Sequence, residues 1–229
     1  MIEIDNIFWF RHDLRVLDNI PLHMCSKTNK SAAIYIYDPR IIENENFSSL
    51  HLDFINDSLS ELSDTFKKYN AHLNIYYGES IKVLKKIIDS YNIQSIYSHH
   101  EVRDLNTYRI NWEIESLCKS YCVKWHQFQR NGVVKGLKNR DGWSYLWSKQ
   151  MKESLAPIPN LSNFEKLENS EGIKNFNELG IARIPYEKKF AGGEQVGKLQ
   201  LEKFLNESGQ TYAKDISSPL KAPASCSRL

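Results

Sequence analysis

Two kinds of hydrophobic pattern alternate over the first 130 residues. Short runs rich in β-branched and aromatic residues, such as IFWF at 7–10, are typical of strands, and amphipathic stretches with the helical period lie between them. In the clearest amphipathic stretch, 48–69, the apolar residues step by three and four and so share one face. The members of this stripe are Leu52, Ile55, Leu59, Leu62 and Phe66.

The alternation predicts five strands and three long helices. Strands are expected at 7–10, 32–37, 72–77, 94–99 and 122–128, and helices at 48–69, 79–90 and 103–118. Strands that alternate with helices of this length need crossover connections, which almost always build a parallel sheet with helices on both faces. We therefore expect residues 1–130 to form a Rossmann-like α/β domain with a doubly wound, five-stranded parallel sheet.

The pattern changes after residue 130. Five of the seven prolines lie between 157 and 223, and residues 157–190 mix Pro, Asn, Ser, Glu and Lys without sustained periodicity. Residues 131–190 are therefore predicted to be an irregular connector. A helix is expected to begin after Gly192 and Gly193, within a short helical tail over 191–229, and its buried side would hold Leu201, Phe204 and Leu205.

Composition is that of an ordinary globular protein, with 41% apolar and 25% charged residues in a chain of 229. The net charge of +2 gives no strong electrostatic case for a nucleic acid or a membrane as partner. The N-terminus is acidic where a secretory signal is basic, and no apolar run approaches the roughly 18 residues of a membrane span, so we expect a cytoplasmic protein. The cysteines lack the spacing of a zinc site, and no metal is expected; they are Cys25, Cys118, Cys122 and Cys226.

The first strand ends in a cluster of charges. Arg11, Asp13 and Arg15 follow IFWF at the carboxyl end of the strand, which is where open parallel sheets bind their ligands. Asp18 and Asn19 offer side-chain oxygens to cap the next helix, which carries Pro21 in its first turn. The structural alternative is an ion-paired corner that ties the strand to the helix and binds nothing.

Two common nucleotide-binding motifs are absent from this corner. The first glycine of the chain is Gly78, so neither GxGxxG nor the GxxxxGK[ST] loop can follow the first strand. An ordinary Rossmann dehydrogenase and a P-loop enzyme are thereby excluded.

The stretch WFRHDLRVLDNIPL resembles the amino-terminal signature of the photolyase and cryptochrome family, in which a strand is followed by W-F-R-x-D-L-R and then D-N. Five further stretches have counterparts in bacterial members in the same order, so the resemblance covers essentially the entire chain. These stretches are YDPR at 37–40, HHEVRDLNTYR at 99–109, FQRNGVVKGLKNRDGW at 128–143, GGE at 192–194 and the final SRL.

The resemblance implies an α/β antenna domain, a connector, and the beginning of a helical domain that holds FAD. The antenna pigment would be a folate or a deazaflavin, which passes excitation to the flavin. The whole flavoprotein would be a deoxyribodipyrimidine photo-lyase acting on a flipped pyrimidine dimer in damaged DNA, or a blue-light sensor. We expect a monomer with a small-molecule chromophore and no membrane partner.

The resemblance also implies site residues. Tyr212 and the final Cys226, Ser227, Arg228 and Leu229 match family positions that contact the flavin's phosphates, although the family usually has threonine where Cys226 stands. The helices that supply the remaining flavin contacts, and the pocket for the DNA lesion, would lie beyond Leu229. DNA is therefore expected as a partner only through that further portion.

The antenna site would use the charged edge of the sheet. Candidates are Arg11 and Asp13 after the first strand, with Glu101 and Asn106 as hydrogen-bond partners of a pterin or deazaflavin ring. Alternatively, Glu101 and Asp104 merely favour the start of the following helix through its dipole.

Two alternatives stay open at the level of the sequence. The chain could be a stand-alone small-molecule or nucleotide-binding module that keeps the α/β fold without photochemistry. A basic run with tryptophans beyond it resembles a nucleic-acid patch, although a solvated face of the connector explains it better. Its members are Arg130, Lys135, Lys138, Arg140, Trp143 and Trp147.

Overall fold

The computed structural model describes residues 3–28, 30–130, 132, 137–185 and 190–215. Its centre is a five-stranded, all-parallel sheet with the strand order β3-β2-β1-β4-β5. This arrangement confirms the expected Rossmann-like α/β fold. The strands are β1 (Asn6–Phe10), β2 (Ser31–Tyr37), β3 (Leu73–Tyr77), β4 (Ser95–His99) and β5 (Lys124–Phe128).

The three long helices expected from the sequence begin and end within about two residues of the predicted positions, whereas Pro39–Ile42, Trp143–Met151 and Tyr212–Asp215 form helices that the sequence did not predict. Asn19 caps α1 by accepting a hydrogen bond from the Leu22 amide, and Asp104 caps α5 by accepting from the Thr107 amide. The helices are α1 (Ile20–Ser26), α2 (Pro39–Ile42), α3 (Ser49–Lys68), α4 (Ser80–Ser90), α5 (Leu105–Ser120), α6 (Trp143–Met151), α7 (Glu194–Asn206) and α8 (Tyr212–Asp215).

The two faces of the sheet carry separate halves of the core, because successive side chains of a strand point to opposite faces. Ile7 and Trp9 of β1 pack with the apolar sides of α4 and α5. Phe8 and Phe10 pack with α1 and with the predicted stripe of α3, in which Ile55 is half-buried and the other four members are buried. Both faces are therefore closed to water, as a doubly wound sheet requires.

The connector runs along the free edge of β3. The amide of Ile75 donates to Ser170 Oγ at 3.0 Å, and the Ile75 carbonyl accepts from the Glu171 amide at 2.8 Å. Connector side chains also enter the core, since Leu161, Phe164, Leu167 and Leu179 are all buried. Residues 131–190 were expected to be irregular, but Trp143–Met151 within them forms α6. The part of the connector beside β3 has no regular period because the edge strand and the core fix its conformation from outside.

Asn74 joins the connector to the sheet from within. Its side-chain amide donates to the Ala33 carbonyl at 3.1 Å and to the Glu165 carbonyl at 3.0 Å, and its oxygen accepts from the Leu167 amide at 2.8 Å. The side chain is 1% exposed. It therefore satisfies three backbone groups that burial would otherwise leave unpaired.

Two local expectations are wrong. Asp18 does not cap α1; its backbone has φ +49° and its carboxylate accepts instead from the amide of Ala156 in the connector. The predicted inner side of α7 is not buried, since Leu201 and Leu205 are 45% and 63% exposed and Phe204 is half-buried. The reason is that α7 meets the α/β domain through its first turn rather than along an apolar face.

No helix in the described part of the chain is both long and apolar enough to cross a membrane.

We expect Asn74→Ala to lower the free energy of unfolding by about 2–3 kcal/mol, because it leaves three buried backbone groups without partners. Urea unfolding followed by circular dichroism measures this change. The matched control is Asn92→Ala, at an exposed position between α4 and β4. Equal unfolding midpoints for the two variants would contradict the role of Asn74 as the joint between connector and sheet.

Candidate functional site

The loops after β1 and β4 meet at the carboxyl edge of the sheet. The connection after β1 leads to β2 on one side, and the connection after β4 leads to β5 on the other side. The two connections therefore diverge between the neighbouring strands β1 and β4. Such a divergence opens a crevice in doubly wound sheets, and ligands bind there. Residues 11–18 and 99–104 occupy the two sides of this crevice.

Asp13 holds the two loops together. Its carboxylate accepts a hydrogen bond from the Arg11 amide at 3.0 Å and lies 2.6 Å from His99 Nδ1. Burial disfavours the charge of Asp13, but the hydrogen bond and charge of His99 outweigh it and lower the pKa of the carboxyl group. Asp13 therefore pairs with a histidine of β4 rather than with Arg11 or Arg15.

Arg11 is fixed above the core by contacts on two sides. Its guanidinium donates to Asn111 Oδ1 at 2.6 Å and lies 4.5 Å from the ring centroid of Trp9. The side chain is 7% exposed, and burial lowers its pKa to about 10, although Glu101 and Asp13 favour the charged form. Arg11 thus supplies a positive charge in a site that largely excludes water.

Glu101 is a second buried carboxylate at this edge. One of its oxygens, Oε2, lies 2.8 Å from His12 Nδ1, and the other, Oε1, lies 3.9 Å from the guanidinium of Arg130. Burial opposes ionisation, yet His12, Arg11 and Arg130 together lower the pKa of Glu101. Oε1 accepts no hydrogen bond from the described residues. The start of α5 is capped by Asp104, not by Glu101.

A cavity of about 970 Å³ lies between the loop after β1, the first half of α3 and the beginning of α7. Its apolar lining includes Phe47, Leu50, Phe54 and Leu201, and its basic lining includes Arg11 and Arg103. A concave site of this size with mostly apolar walls and a few fixed polar groups is the usual form of a small-molecule site.

The acidic and basic side chains on this cavity all have partners within the protein, but they differ in how far they are exposed. The acidic groups are already engaged, since Asp13 lies against His99 and the Glu194 carboxylate accepts from the amides of Val16 and Leu17. Arg103 contacts His12 with 2.7 Å between Nη1 and Nε2, and its side chain remains exposed. The cavity therefore offers positive charge beside apolar surface, a combination that favours an anionic ligand with a flat ring system.

His51 also lines this cavity, near Arg103. It completes a capping box at the start of α3, where its Nδ1 accepts from the Ser48 amide at 3.0 Å. Its pKa is lowered, first by burial and then by the charge of Arg103. The ring of His51 also packs on Phe47, with 5.6 Å between centroids.

A second, smaller cavity of about 610 Å³ adjoins Glu101 at the start of α5. Tyr108 and Trp112 line it and are 70% and 65% exposed, and Asn111 and Gln127 provide amides. Glu101 therefore faces this cavity and is connected to the larger one through His12.

The structure separates the residues that the sequence grouped together. Arg11 and Asp13 line the larger cavity, and Glu101 lines the smaller one. Asn106 donates from its side chain to the carbonyl of Arg40 at 3.0 Å and so ties α5 to α2. Tyr212 packs against Phe204, with 5.5 Å between ring centroids. The remaining candidates, Cys226, Ser227, Arg228 and Leu229, lie outside the described residues. The roles of all these residues in holding a cofactor stay predictions.

Sequence reasoning missed most of the cavity lining. His12 lies between Arg11 and Asp13 in the RHDLR stretch, so the sequence alone could have identified it as a candidate for the cavity lining. Phe47, His51 and Phe54 gave no signal, since they lie off the buried stripe of α3 and look like surface residues in sequence. His99 was also missed, because the last residue of a predicted strand is not by itself a candidate site residue.

The fold and the crevice define a ligand-binding α/β domain of the doubly wound class. A family model described as DNA photolyase matches residues 6–143, more than half of the chain. The chain therefore belongs to the DNA photolyase family, as the sequence resemblance indicated.

Several relatives agree with this assignment. A deoxyribodipyrimidine photo-lyase from Buchnera aphidicola is 33% identical over 133 residues, which cover 57% of this chain and 26% of that protein. Cryptochrome DASH from Synechocystis is 31% identical over 102 residues, 42% of this chain and 21% of that protein. A 31.6 kDa protein from Synechococcus, without an assigned function, is 20% identical over 230 residues, 93% of this chain and 79% of that protein.

Solved structures show the same fold. The photolyase of Sulfolobus tokodaii, whose crystal contains two FAD molecules, superposes with a TM-score of 0.67 at 22% identity, over 86% of this chain and 46% of that one. The chain thus spans about half the length of this photolyase, and its matched stretches span about a quarter of the curated photo-lyase and cryptochrome.

We expect Asp13→Asn to lower the free energy of unfolding at pH 7 by about 2–3 kcal/mol, because it removes one partner of a buried pair. The folded-state pKa of Asp13 is lowered, so its stabilisation is present above the unfolded pKa of about 3.9 and is lost as the pH falls through the folded value. The difference between wild type and variant should therefore shrink below about pH 4. Asp64→Asn, at an exposed ion pair with Lys67, is the control and should leave the unfolding midpoint unchanged.

Proposed function

We propose that this chain is the light-harvesting portion of a photolyase- or cryptochrome-type flavoprotein that acts in light-dependent DNA repair or blue-light sensing. The observation that carries the proposal is the 970 Å³ cavity beside the loop after β1, with mostly apolar walls and the exposed guanidinium of Arg103 at its rim. It lies within the part of the chain that the family model matches, apart from the wall formed by α7. The relatives supply the class of function, and the cavity supplies a place for its pigment.

The residues of the cavity fit a folate or a deazaflavin. A flat conjugated ring system would pack on Phe47, Phe54 and Leu201. The glutamate carboxylates of a folate would be met by Arg103 at the exposed rim and by Lys198, which also forms an ion pair with Glu194. When bound, such a pigment supplies absorption in the near ultraviolet or blue and passes the excitation to a flavin. The chain's own residues bind the ring, orient it and exclude water from it.

Arg11 and Asp13 give this site a rigid floor. Asp13 fixes the loop after β1 against β4, and Arg11 is held between Asn111 and Trp9, so neither side chain is free to follow a mobile ligand. A rigid floor keeps a pigment in one orientation, which efficient transfer of excitation requires. Glu101 supports the same floor from behind by holding His12.

The flavin site is proposed from the family alone. Tyr212 would contact the phosphates of FAD together with residues 226–229, and a helical portion beyond them would complete the site. The deoxyribodipyrimidine photo-lyase reaction and the binding of damaged DNA belong to that whole protein. The domain limits expected from the sequence, and a cytoplasmic monomeric protein, remain predictions.

A second candidate function is a stand-alone small-molecule or nucleotide-binding module without photochemistry. The Synechococcus protein favours it, because this chain matches 79% of that relative's length, far more than it matches of the curated photolyase. The same cavity would then hold a metabolite with a phosphate and a ring, and no excitation would be transferred.

Spectroscopy of the purified chain separates the two candidates. We expect the chain, mixed with 5,10-methenyltetrahydrofolate or 8-hydroxy-5-deazariboflavin, to bind one of them with a change in absorbance and fluorescence. Mass spectrometry of small molecules released from chain purified from its source cells gives the native ligand. A retained adenine nucleotide and no binding of either pigment would favour the second candidate and overturn the first.

We expect Arg103→Gln to weaken binding of the pigment by about three- to tenfold, because the anionic ligand loses a cation at the cavity rim. Fluorescence titration measures the affinity. Arg109→Gln is the matched control, since Arg109 is exposed on α5 and lines neither described cavity. Added salt should weaken wild-type binding more than binding to Arg103→Gln, and equal salt dependence would count against an electrostatic role.

A further inference from the structure

The larger cavity has walls from two parts of the chain. One wall consists of residues 11–18 and the first half of α3, and the other consists of Phe190, Gly193, Glu194, Gly197, Lys198 and Leu201 at the start of α7. A ligand that fills the cavity must therefore touch both walls. Its binding energy depends on α7 being in place.

The first turn of α7 is attached to the α/β domain by a small set of polar contacts. Glu194 accepts from the amides of Val16 and Leu17 at 2.8 and 3.3 Å. Beside it, the Gly192 amide donates to Asp57 at 3.1 Å and the Gln195 amide donates to Glu61 at 3.0 Å. All four bonds lie within residues 192–195, and no described residue of α7 is buried.

The two glycines allow this close attachment. A Cβ atom at Gly192 would collide with the carbonyl oxygen of Phe54, and one at Gly193 would collide with the carboxylate of Glu61. Gly193 also has φ +120°, a conformation that other residues rarely adopt. The GGE stretch at 192–194 is therefore shaped to bring the backbone against α3 and the Glu194 carboxylate against the loop after β1.

We propose that Glu194 makes α7 a detachable wall of the cavity, so that ligand binding and the docking of α7 on the α/β domain form one coupled equilibrium. The inference rests on the proposed function for the identity of the ligand. A ligand that contacts both walls has higher affinity for the docked state, and it must shift the chain toward that state. By linkage, the factor by which the ligand favours docking equals the factor by which docking favours the ligand.

Glu194 is a positioning residue in this scheme. It engages two amides of the same loop that presents Arg11 and Asp13 to the cavity. Loss of its carboxylate should loosen both the loop and the first turn of α7, whereas loss of a carboxylate farther along α7 should loosen neither. Glu202, exposed two turns later on the same helix, provides that comparison.

Hydrogen exchange measured by mass spectrometry tests the coupling on the full chain. In wild type, 8-hydroxy-5-deazariboflavin should slow exchange across 194–206 as well as across 11–18. Without ligand, Glu194→Gln should speed exchange at Val16, Leu17 and residues 194–206 and leave β1 to β5 unchanged. In titration, Glu194→Gln should bind the pigment at least tenfold more weakly, and Glu202→Gln should match wild type.

Each outcome bears on a separate claim. Binding without added protection of 194–206, or wild-type affinity of Glu194→Gln, overturns the coupling and leaves the proposed function standing. Failure of both 8-hydroxy-5-deazariboflavin and 5,10-methenyltetrahydrofolate to bind wild type overturns both. Coupled binding without transfer of excitation to flavin in the complete flavoprotein supports the coupling and overturns only the light-harvesting role.

Discussion

The buried contact between Asp13 and His99 is the constraint on which the site depends. Two connections diverge between β1 and β4, and a doubly wound sheet leaves an open crevice wherever this happens. The Asp13 carboxylate spans that crevice and fixes the loop after β1 to the end of β4. The side chain of Arg11 is thereby held over the ring of Trp9, and this side of the cavity is rigid.

Contacts between a buried carboxylate and a histidine also fix the charges at this edge of the sheet. Two of the buried carboxylates at this edge have a histidine beside them, His99 for Asp13 and His12 for Glu101. Both carboxylates therefore have a partner within the protein, although Glu101 Oε1 accepts no hydrogen bond from the described residues. Arg103 also has a partner, His12, but its side chain stays exposed at the rim. The lining of the larger cavity holds four Arg and Lys side chains and three carboxylates, and the exposed Arg103 adds to the positive surface that a ligand meets.

The fold was predictable because periodicity reports burial. The stripe of α3 and the five apolar runs each matched an element of the structure within about two residues, which is the usual uncertainty of helix and strand ends. Arg11 and Asp13 were predictable as cavity residues because the carboxyl end of β1 is a known ligand-binding edge. Neither inference required knowledge of distant contacts.

The missed features all depend on distant contacts. His51 and Phe54 reach the cavity only because α7 lies opposite them, and no local pattern encodes that approach. The exposure of Leu201 and Leu205 was missed for the same reason, because a periodic apolar face does not specify which element packs on it. Asp18 was misassigned because its partner, the amide of Ala156, is 138 positions away along the chain.

The hydrogen bonds between the connector and β3 limit where the chain can be truncated to give a stable fragment. A fragment ending at Phe128 would keep every strand but would lose Leu161 and Phe164 from its interior and uncover the hydrogen-bonding edge of β3. Bare edges of this kind recruit strands from other molecules, so such a fragment would tend to aggregate. The smallest piece that can be studied in isolation therefore extends to about residue 181, because Leu179 and Ile181 still pack against the core.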